Sequence, residues 1–184
     1  MAPLRARPLL AYVLDVVDTA RRSGLVLQAY AVVAVGDAGV EALVREARIV
    51  PIVNPEPERG LSSSLWCGLA ALETEPAGRI AAALVLLGDQ PLVRVEVART
   101  LIEGWRSGRG TVLRPRYADA PEMPGHPVLL DRSVWPLARH AHGDAGLGGA
   151  LPPGSDAVTL LDVPGHNPDV DTVDDLNLLK ESPP

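Results

Sequence analysis

Apolar positions along the chain switch repeatedly between helical spacing and short unbroken runs. Leu9, Leu10, Val13, Leu14 and Val17 recur at three- and four-residue intervals, so residues 8–22 read as an amphipathic helix that Gly24 stops. Residues 29–35 form a β-branched run ending at Gly36, the pattern of a buried strand. Asp37 is placed to cap a helix running to Ala47, and residues 49–53 read as a second strand. A loop rich in proline and glycine, residues 54–61, leads to Ser62, Ser63 and Ser64, which open a helix through Leu72 and could each cap its first turn. Residues 82–87 are unbroken in apolarity, as expected for a strand covered on both faces. Further on, residues 95–106 and 133–140 read as helices, and residues 111–113, 128–130 and 158–163 as strands. A glycine-rich turn is expected over residues 143–149, and Thr172 should cap a last helix reaching Lys180. Strand–helix alternation through the first two-thirds predicts a mostly parallel α/β sheet, with the last third as a mixed extension.

Composition narrows the reading. At 184 residues, with no internal repeat and no linker, the chain is expected to be one domain over residues 1–180, followed by a disordered tail, residues 181–184. The formal charge of −6 argues against nucleic acid as a partner, because phosphate neutralisation needs a basic face. A single cysteine excludes both a disulfide framework and a cysteine-based zinc site. No apolar run is long enough to span a bilayer. Arg5 and Arg7 precede an apolar stretch, but Asp15 and Asp18 interrupt it and no small-residue cleavage site follows. A cytoplasmic protein with no membrane partner is therefore expected. Lys180 is the only lysine, so arginine supplies nearly all positive charge.

Ligands of open α/β sheets bind beyond the carboxyl ends of the strands, and three segments fall there. Asn54 to Gly68 places Gly60 before a serine-rich helix start, whose amides and dipole suit either an anion or simply a well-capped helix. Gly88-Asp89-Gln90-Pro91 follows the most apolar strand. A carboxylate at that point can hold Mg²⁺, which takes one or two carboxylates together with water and phosphate oxygens, or can merely cap a turn. Asp169-Val170-Asp171-Thr172, with Asp174 and Asp175 behind it, offers a second carboxylate or an acid-rich helix N-terminus.

The order and spacing of N-x5-G-x-S-S-S-L-x-x-G-L, A-L-V-L-L-G-D-Q-P, G-H-P-V-L-L, H-G-D-A-G and D-V-D-T-x-x-D-L resemble the MobA-like nucleotidyltransferases over residues 8–179. The molybdenum cofactor cytidylyltransferases, the MocA-like branch, are the nearest match. The resemblance implies a Rossmann-like three-layer α/β sandwich with a mostly parallel, mixed sheet of the nucleotide-diphospho-sugar transferase type. It implies transfer of CMP from CTP to a molybdopterin-type acceptor with release of pyrophosphate. Mg²⁺ would be the cofactor, and a molybdoenzyme or its accessory protein a further partner. By the same resemblance Asp89 and Asp171 are the catalytic, metal-side carboxylates, with Asp169 as the alternative to Asp171. Asn54, Gly60, Ser62, Ser63, Ser64, Gly88 and Asp89 line the nucleotide. Gly125, His126, Pro127, Gly143 and Asp144 receive the acceptor. A guanylyl- or other nucleotidyltransferase of the same fold is the alternative within the class.

The same family carries a first strand, a glycine-rich phosphate loop and a lysine at its start. Here no glycine precedes Gly24 and no lysine precedes Lys180, so the first strand is expected to be lacking from the sheet. That departure supports a second class of function, a catalytically impaired nucleotide- or pterin-binding accessory protein. His140 and His142 read as surface residues and Cys67 as a small buried hydrophobe. Trp66, Trp105 and Trp135 read as core or helix-packing residues.

Overall fold

A short antiparallel ribbon, β1 (Pro3–Leu4) with β2 (Arg7–Pro8), leads into α1 (Leu9–Arg22). Strands two residues long carry no periodicity, so the apolar pattern gives no sign of them. The computed structural model describes residues 3–4, 6–76, 78–144 and 158–181. After α1 come β3 (Tyr30–Ala34), α2 (Ala38–Glu46), β4 (Val50–Asn54), a 3-10 turn (Pro57–Arg59) and α3 (Leu61–Glu73). Then follow β5 (Ala82–Val85), α4 (Val95–Arg106), β6 (Val112–Tyr117), β7 (Val128–Asp131), a 3-10 helix (Arg132–His140), β8 (Val158–Val163) and α5 (Val173–Glu181). The expected glycine-rich turn falls largely outside the described residues, as does the expected tail beyond Glu181, to which α5 extends.

β3 and β4 pair in parallel, with Tyr30 opposite Val50, and α2 crosses between them. Asp37 caps α2 as expected, its side chain accepting from the Val40 amide at 3.0 Å. The other strands form a mixed sheet in the order β5-β7-β6-β8, with β7 antiparallel to both neighbours and β6 parallel to β8. Strand alternation sorts this sheet's side chains into two layers. Ala83, Val112 and Leu130 face Leu69 of α3 and Trp135 of the 3-10 helix, while Leu113, Leu129 and Leu161 face Leu101 and Ile102 of α4. The result is a three-layer sandwich around a mixed sheet.

Two further elements differ from the pattern reading. β6 runs on to Tyr117, because Arg114, Pro115 and Arg116 continue the parallel ladder against Leu160, Leu161 and Asp162 although their composition hides a strand. The helix around residues 133–140 is 3-10, consistent with Pro136 in its interior, which cannot donate to an α-helical ladder. Among the described residues no strand pairs with the second edge of β3 or with that of β5. The two sheets share a covering helix instead. On α3, Gly68 backs onto Val32 so closely that a Cβ would lie 3.2 Å from its methyl, while Leu69 packs with Ala83. Across the other face of β3, Leu14 of α1 packs with Val33. No described helix is long and apolar enough to cross a membrane.

Candidate active site

The loop after β5 carries Asp89 to the carboxyl end of the sheet, where its carbonyl accepts from the Val170 amide at 3.1 Å. That backbone bond brings Asp169 and Asp171 to the same place. The Asp89 oxygen Oδ1 is buried and has no hydrogen-bond partner. Burial raises the Asp89 pKa above the usual carboxylate range, and the nearby charges of Asp169 and Asp171 raise it further. An unpartnered carboxylate oxygen beside two other acids is a site that favours a cation. Among the described residues no group of three or more acidic, histidine or cysteine side chains is arranged so that it could by itself hold a metal ion. Carboxylate oxygens are nonetheless the donor type that a hard divalent ion takes, one or two at a time, with water and phosphate completing its shell.

Next to Asp89, Gln90 is 5% exposed and both ends of its amide are used. Its Nε2 donates to Asp169 Oδ1 at 2.6 Å, and its Oε1 accepts from Asn167 Nδ2 at 2.9 Å. Asn167 also donates to the His126 carbonyl at 3.3 Å, to which the Tyr117 hydroxyl donates at 2.8 Å. Gln90 and Asn167 join this cluster through hydrogen bonds although the sequence reading did not assign them. Gln90 stood inside the quoted Gly-Asp-Gln-Pro motif, whereas Asn167 had no signal. Asp171 is exposed, and the acid-rich stretch behind it does form a helix start: Thr172 Oγ1 accepts from the Asp175 amide while Asp175 Oδ2 accepts from the Thr172 amide at 2.8 Å. Thus Thr172 caps α5 as expected, Asp175 serves that cap, and Asp169 is the acid tied to the Asp89 loop.

On the other side, Asn54 ends β4 and is 1% exposed. Its Nδ2 donates to Ser63 Oγ at 2.8 Å and Ser64 Oγ at 3.0 Å, and its Oδ1 accepts from the Glu56 amide at 3.0 Å. The expectation that a serine caps α3 is corrected. The hydroxyls of Ser62 and Ser63 donate to main-chain carbonyls, including Ser63 to Gly60 at 2.8 Å, and Gly60 itself is the cap residue. The first helical amide, Leu61 N–H, is taken by Asp144 Oδ1 at 3.1 Å. Gly60 has φ +83°, and a Cβ there would sit 2.5 Å from Asp144 Oδ1 and 2.8 Å from the Gly143 backbone. The expected nucleotide segment and the expected acceptor segment thus touch at Gly60, Gly143 and Asp144. Gly88 is exposed and crosses the Leu10 side chain.

Gly125, His126 and Pro127 lead into β7. Gly125 lies against the Tyr117 ring, where a Cβ would clash at 2.6 Å. Burial lowers the His126 pKa to about 4, helped by the Arg114 charge and opposed by Asp169, so its imidazole is neutral at physiological pH. The structure therefore gathers Asp89, Gln90, Asp169, Asn167 and His126 into one cluster, with Asp171 adjoining it. It gathers Asn54, Gly60, Ser63, Ser64 and Asp144 into a second. No hydrogen bond among the described residues joins the two.

Residues read as uninvolved fall mostly as expected. His140 and His142 are exposed. Burial, with the charge of Glu56, pushes the Cys67 thiol pKa up, away from a nucleophile's range. Trp135 is core, and Trp105 donates to Asp131 at 2.8 Å. Trp66 is instead 37% exposed, with the Arg139 guanidinium 4.9 Å above its ring.

Comparison with known proteins bears on the whole arrangement. The sequence profile of the MobA-like NTP transferase domain matches residues 1–157. Among curated proteins, no sequence matches significantly. The manganese complex of Rv0371c from Mycobacterium tuberculosis is similar at a TM-score of 0.78 and 28% identity, over 99% of this chain and 90% of that one. The 4-diphosphocytidyl-2C-methyl-D-erythritol synthase of Anaerococcus prevotii shares the fold, with a TM-score of 0.72 and 12% identity over 97% and 90% of the two chains. So does molybdopterin-guanine dinucleotide biosynthesis protein A of Archaeoglobus fulgidus, at 0.59 and 16% over 98% and 87%. With a profile match spanning most of its length and the nucleotide-diphospho-sugar transferase sandwich beneath it, the chain belongs to the MobA-like NTP transferase family, and with it to the nucleotidyltransferases.

Proposed function

We propose that the chain transfers CMP from CTP to a molybdopterin-type phosphate monoester. An acceptor phosphate oxygen forms a bond to the α-phosphorus, the bond from that phosphorus to the bridging oxygen breaks, and pyrophosphate leaves. A dianionic acceptor needs no base, so the protein's task is to position the reactants and balance charge. The observation that carries the reading is the buried, unpartnered Asp89 Oδ1 with Asp169 and Asp171 beside it at the carboxyl end of the sheet.

These residues fit a divalent cation. Asp89, with Asp171 or Asp169, would hold Mg²⁺, and a bound ion of this kind offsets charge on the triphosphate and the departing pyrophosphate. Gln90 holds Asp169, and Asn167 holds Gln90 in turn. Asn54 fixes the serine-led turn against which the nucleotide would lie, through Ser63 and Ser64. Neutral His126, with Gly125 and Pro127, faces the acceptor and offers a hydrogen-bonding edge without adding charge. Gly143 and Asp144, packed on Gly60, close the gap between the two substrates' segments. Preference for CTP over GTP rests on similarity, in the Gly-Asp-Gln-Pro form and the serine-led helix.

The test is pyrophosphate release by the purified chain with Mg²⁺, molybdopterin and either CTP or GTP. Release with CTP exceeding that with GTP supports the proposal, and a GTP preference moves the chain to the guanylyl branch. CTP binding without release supports a nucleotide-binding accessory role. That second reading is favoured by Lys180, the one lysine of the chain, lying on α5 beside Asn177.

A further inference from the structure

Arg114 lies on β6 beside the Gly125–Pro127 turn. Its Nε donates to the Gly125 carbonyl at 3.0 Å and an Nη donates to the Pro124 carbonyl at 2.6 Å. Among the described residues no carboxylate pairs with it, and burial alone pulls its pKa below the usual arginine value, with no acid opposing the shift. Its neighbour two residues on, Arg116, is ordinary by contrast: it is exposed and bonded to Asp162 at 2.6 Å. A half-buried guanidinium without a counter-charge is unfavourable, since desolvation is not offset by a partner. The two carbonyls occupy only part of the fork and aim it, leaving N–H groups for a further acceptor. The charge of Arg114 is felt at His126, and His126 also feels Asp169. The lone cation and the acid cluster thus flank one imidazole.

We propose that Arg114 is an anion-binding residue that takes the phosphate monoester of the acceptor. The inference rests on the nucleotidyl-transfer reading for the identity of the acceptor, though not for the existence of the site. Arginine suits the role because its planar fork meets two phosphate oxygens at once, which a point charge does not. In a chain of net charge −6, an incoming dianion needs such a local exception.

The probes are phenyl phosphate and inorganic phosphate, titrated calorimetrically into the full chain, alongside CTP with Mg²⁺. Arg114→Gln should weaken phenyl phosphate binding by about tenfold or more, as loss of a charge-assisted, two-pronged contact implies. CTP binding should stay unchanged. Arg114→Lys, which keeps charge without the fork, should fall between wild type and Arg114→Gln, and Arg116→Gln should match wild type. Should Arg114→Gln melt early, labelling decides in the wild type: phenyl phosphate must protect Arg114 from phenylglyoxal, read by peptide mass spectrometry. Equal phenyl phosphate binding by wild type and a folded Arg114→Gln, equal weakening in Arg116→Gln, or unprotected labelling would each overturn the inference. Pyrophosphate release from CTP with phosphate binding indifferent to Arg114 would sink the inference and spare the functional reading. Arg114-dependent phosphate binding in a chain that ignores CTP would do the reverse.

Discussion

Asp89, the proposed metal-side carboxylate, is also a structural liability. Its Oδ1 has no partner and its pKa is raised, so folding holds a carboxylate where water would hold it better. The sign follows: a carboxyl that binds its proton more tightly folded than unfolded adds stability at low pH, and that contribution is lost as pH rises through the raised pKa. Asp89→Asn should therefore raise the melting temperature of the metal-free chain near neutrality while abolishing the metal dependence of CTP binding. Melting curves and CTP titrations with and without Mg²⁺ check both halves, and a metal response equal to wild type would remove Asp89 from the site. Gln90 works through another residue, since its amide ties Asp169 and Asn167 together. Gln90→Ala should cost about 1–3 kcal/mol by leaving buried polar groups unpaired. It should also weaken Mn²⁺ binding, read by electron paramagnetic resonance. Unaltered Mn²⁺ affinity beside a lowered stability would mean that Gln90 only supports the fold.

At the scale of elements, periodicity located nearly every helix and strand because each buries one face, and that burial imposes the spacing. What escaped it was set by distant partners. The serines of α3 have the composition of caps, yet the first amide goes to Asp144, far along the chain, and Asn54 draws Ser63 and Ser64 to itself. The continuation of β6 through Arg114 and Arg116 depends on pairing with β8, which composition does not announce. Among candidate site residues the motif supplied Asp89 and the acids around Asp171, while Asn167 and Arg114 became candidates only from what the fold places beside them. The Gly60 junction gives the prediction at this scale. Gly60 combines positive φ with contact to the Gly143 backbone, which no side-chain rotation relieves. Gly60→Ala should destabilise the chain by about 1–3 kcal/mol, the range for strained backbone, and lower CTP affinity. Asp144→Ala should cost about 1 kcal/mol as a lost helix cap. Urea denaturation compares them, and an alanine at Gly60 that is tolerated without loss would show that the junction opens freely.

At the scale of the molecule, the β3–β4 sheet and the four-stranded sheet share α3 as a cover, so among the described residues side-chain packing and not a continuous ladder joins them. That makes the pH response of buried groups visible in the total, which for most domains is only about 5–15 kcal/mol. Four groups with lowered pKa values act on the acid side in the same sense, the exposed Asp162 and the helix-capping Asp175 among them. His126 has its pKa lowered to about 4 from 6.5, by burial and by Arg114, with Asp169 opposing. Asp131 has its pKa lowered by the Ser133 hydroxyl and amide and by Trp105. For His126 the unfolded chain takes up the proton first, so stability is full above pH 6.5 and is lost as pH falls toward 4. The loss is on the order of 3 kcal/mol when the shift is fully expressed, and less in proportion to remaining solvent contact. Asp131 adds its loss only lower, below the ordinary carboxylate range. Asp89 runs the other way, and its raised pKa partly offsets the decline. Urea midpoints of wild type should therefore fall steadily between pH 6.5 and 4. His126→Gln, which keeps a polar side chain without a titrating ring, should flatten that interval while leaving the steeper drop below it. The Arg114→Gln variant should flatten the same limb more mildly, since it removes one of the two causes that disfavour the imidazolium. Parallel profiles for wild type and His126→Gln would mean that the imidazole is hydrated in solution, and that the Gly125–Pro127 turn is open and not packed against Tyr117.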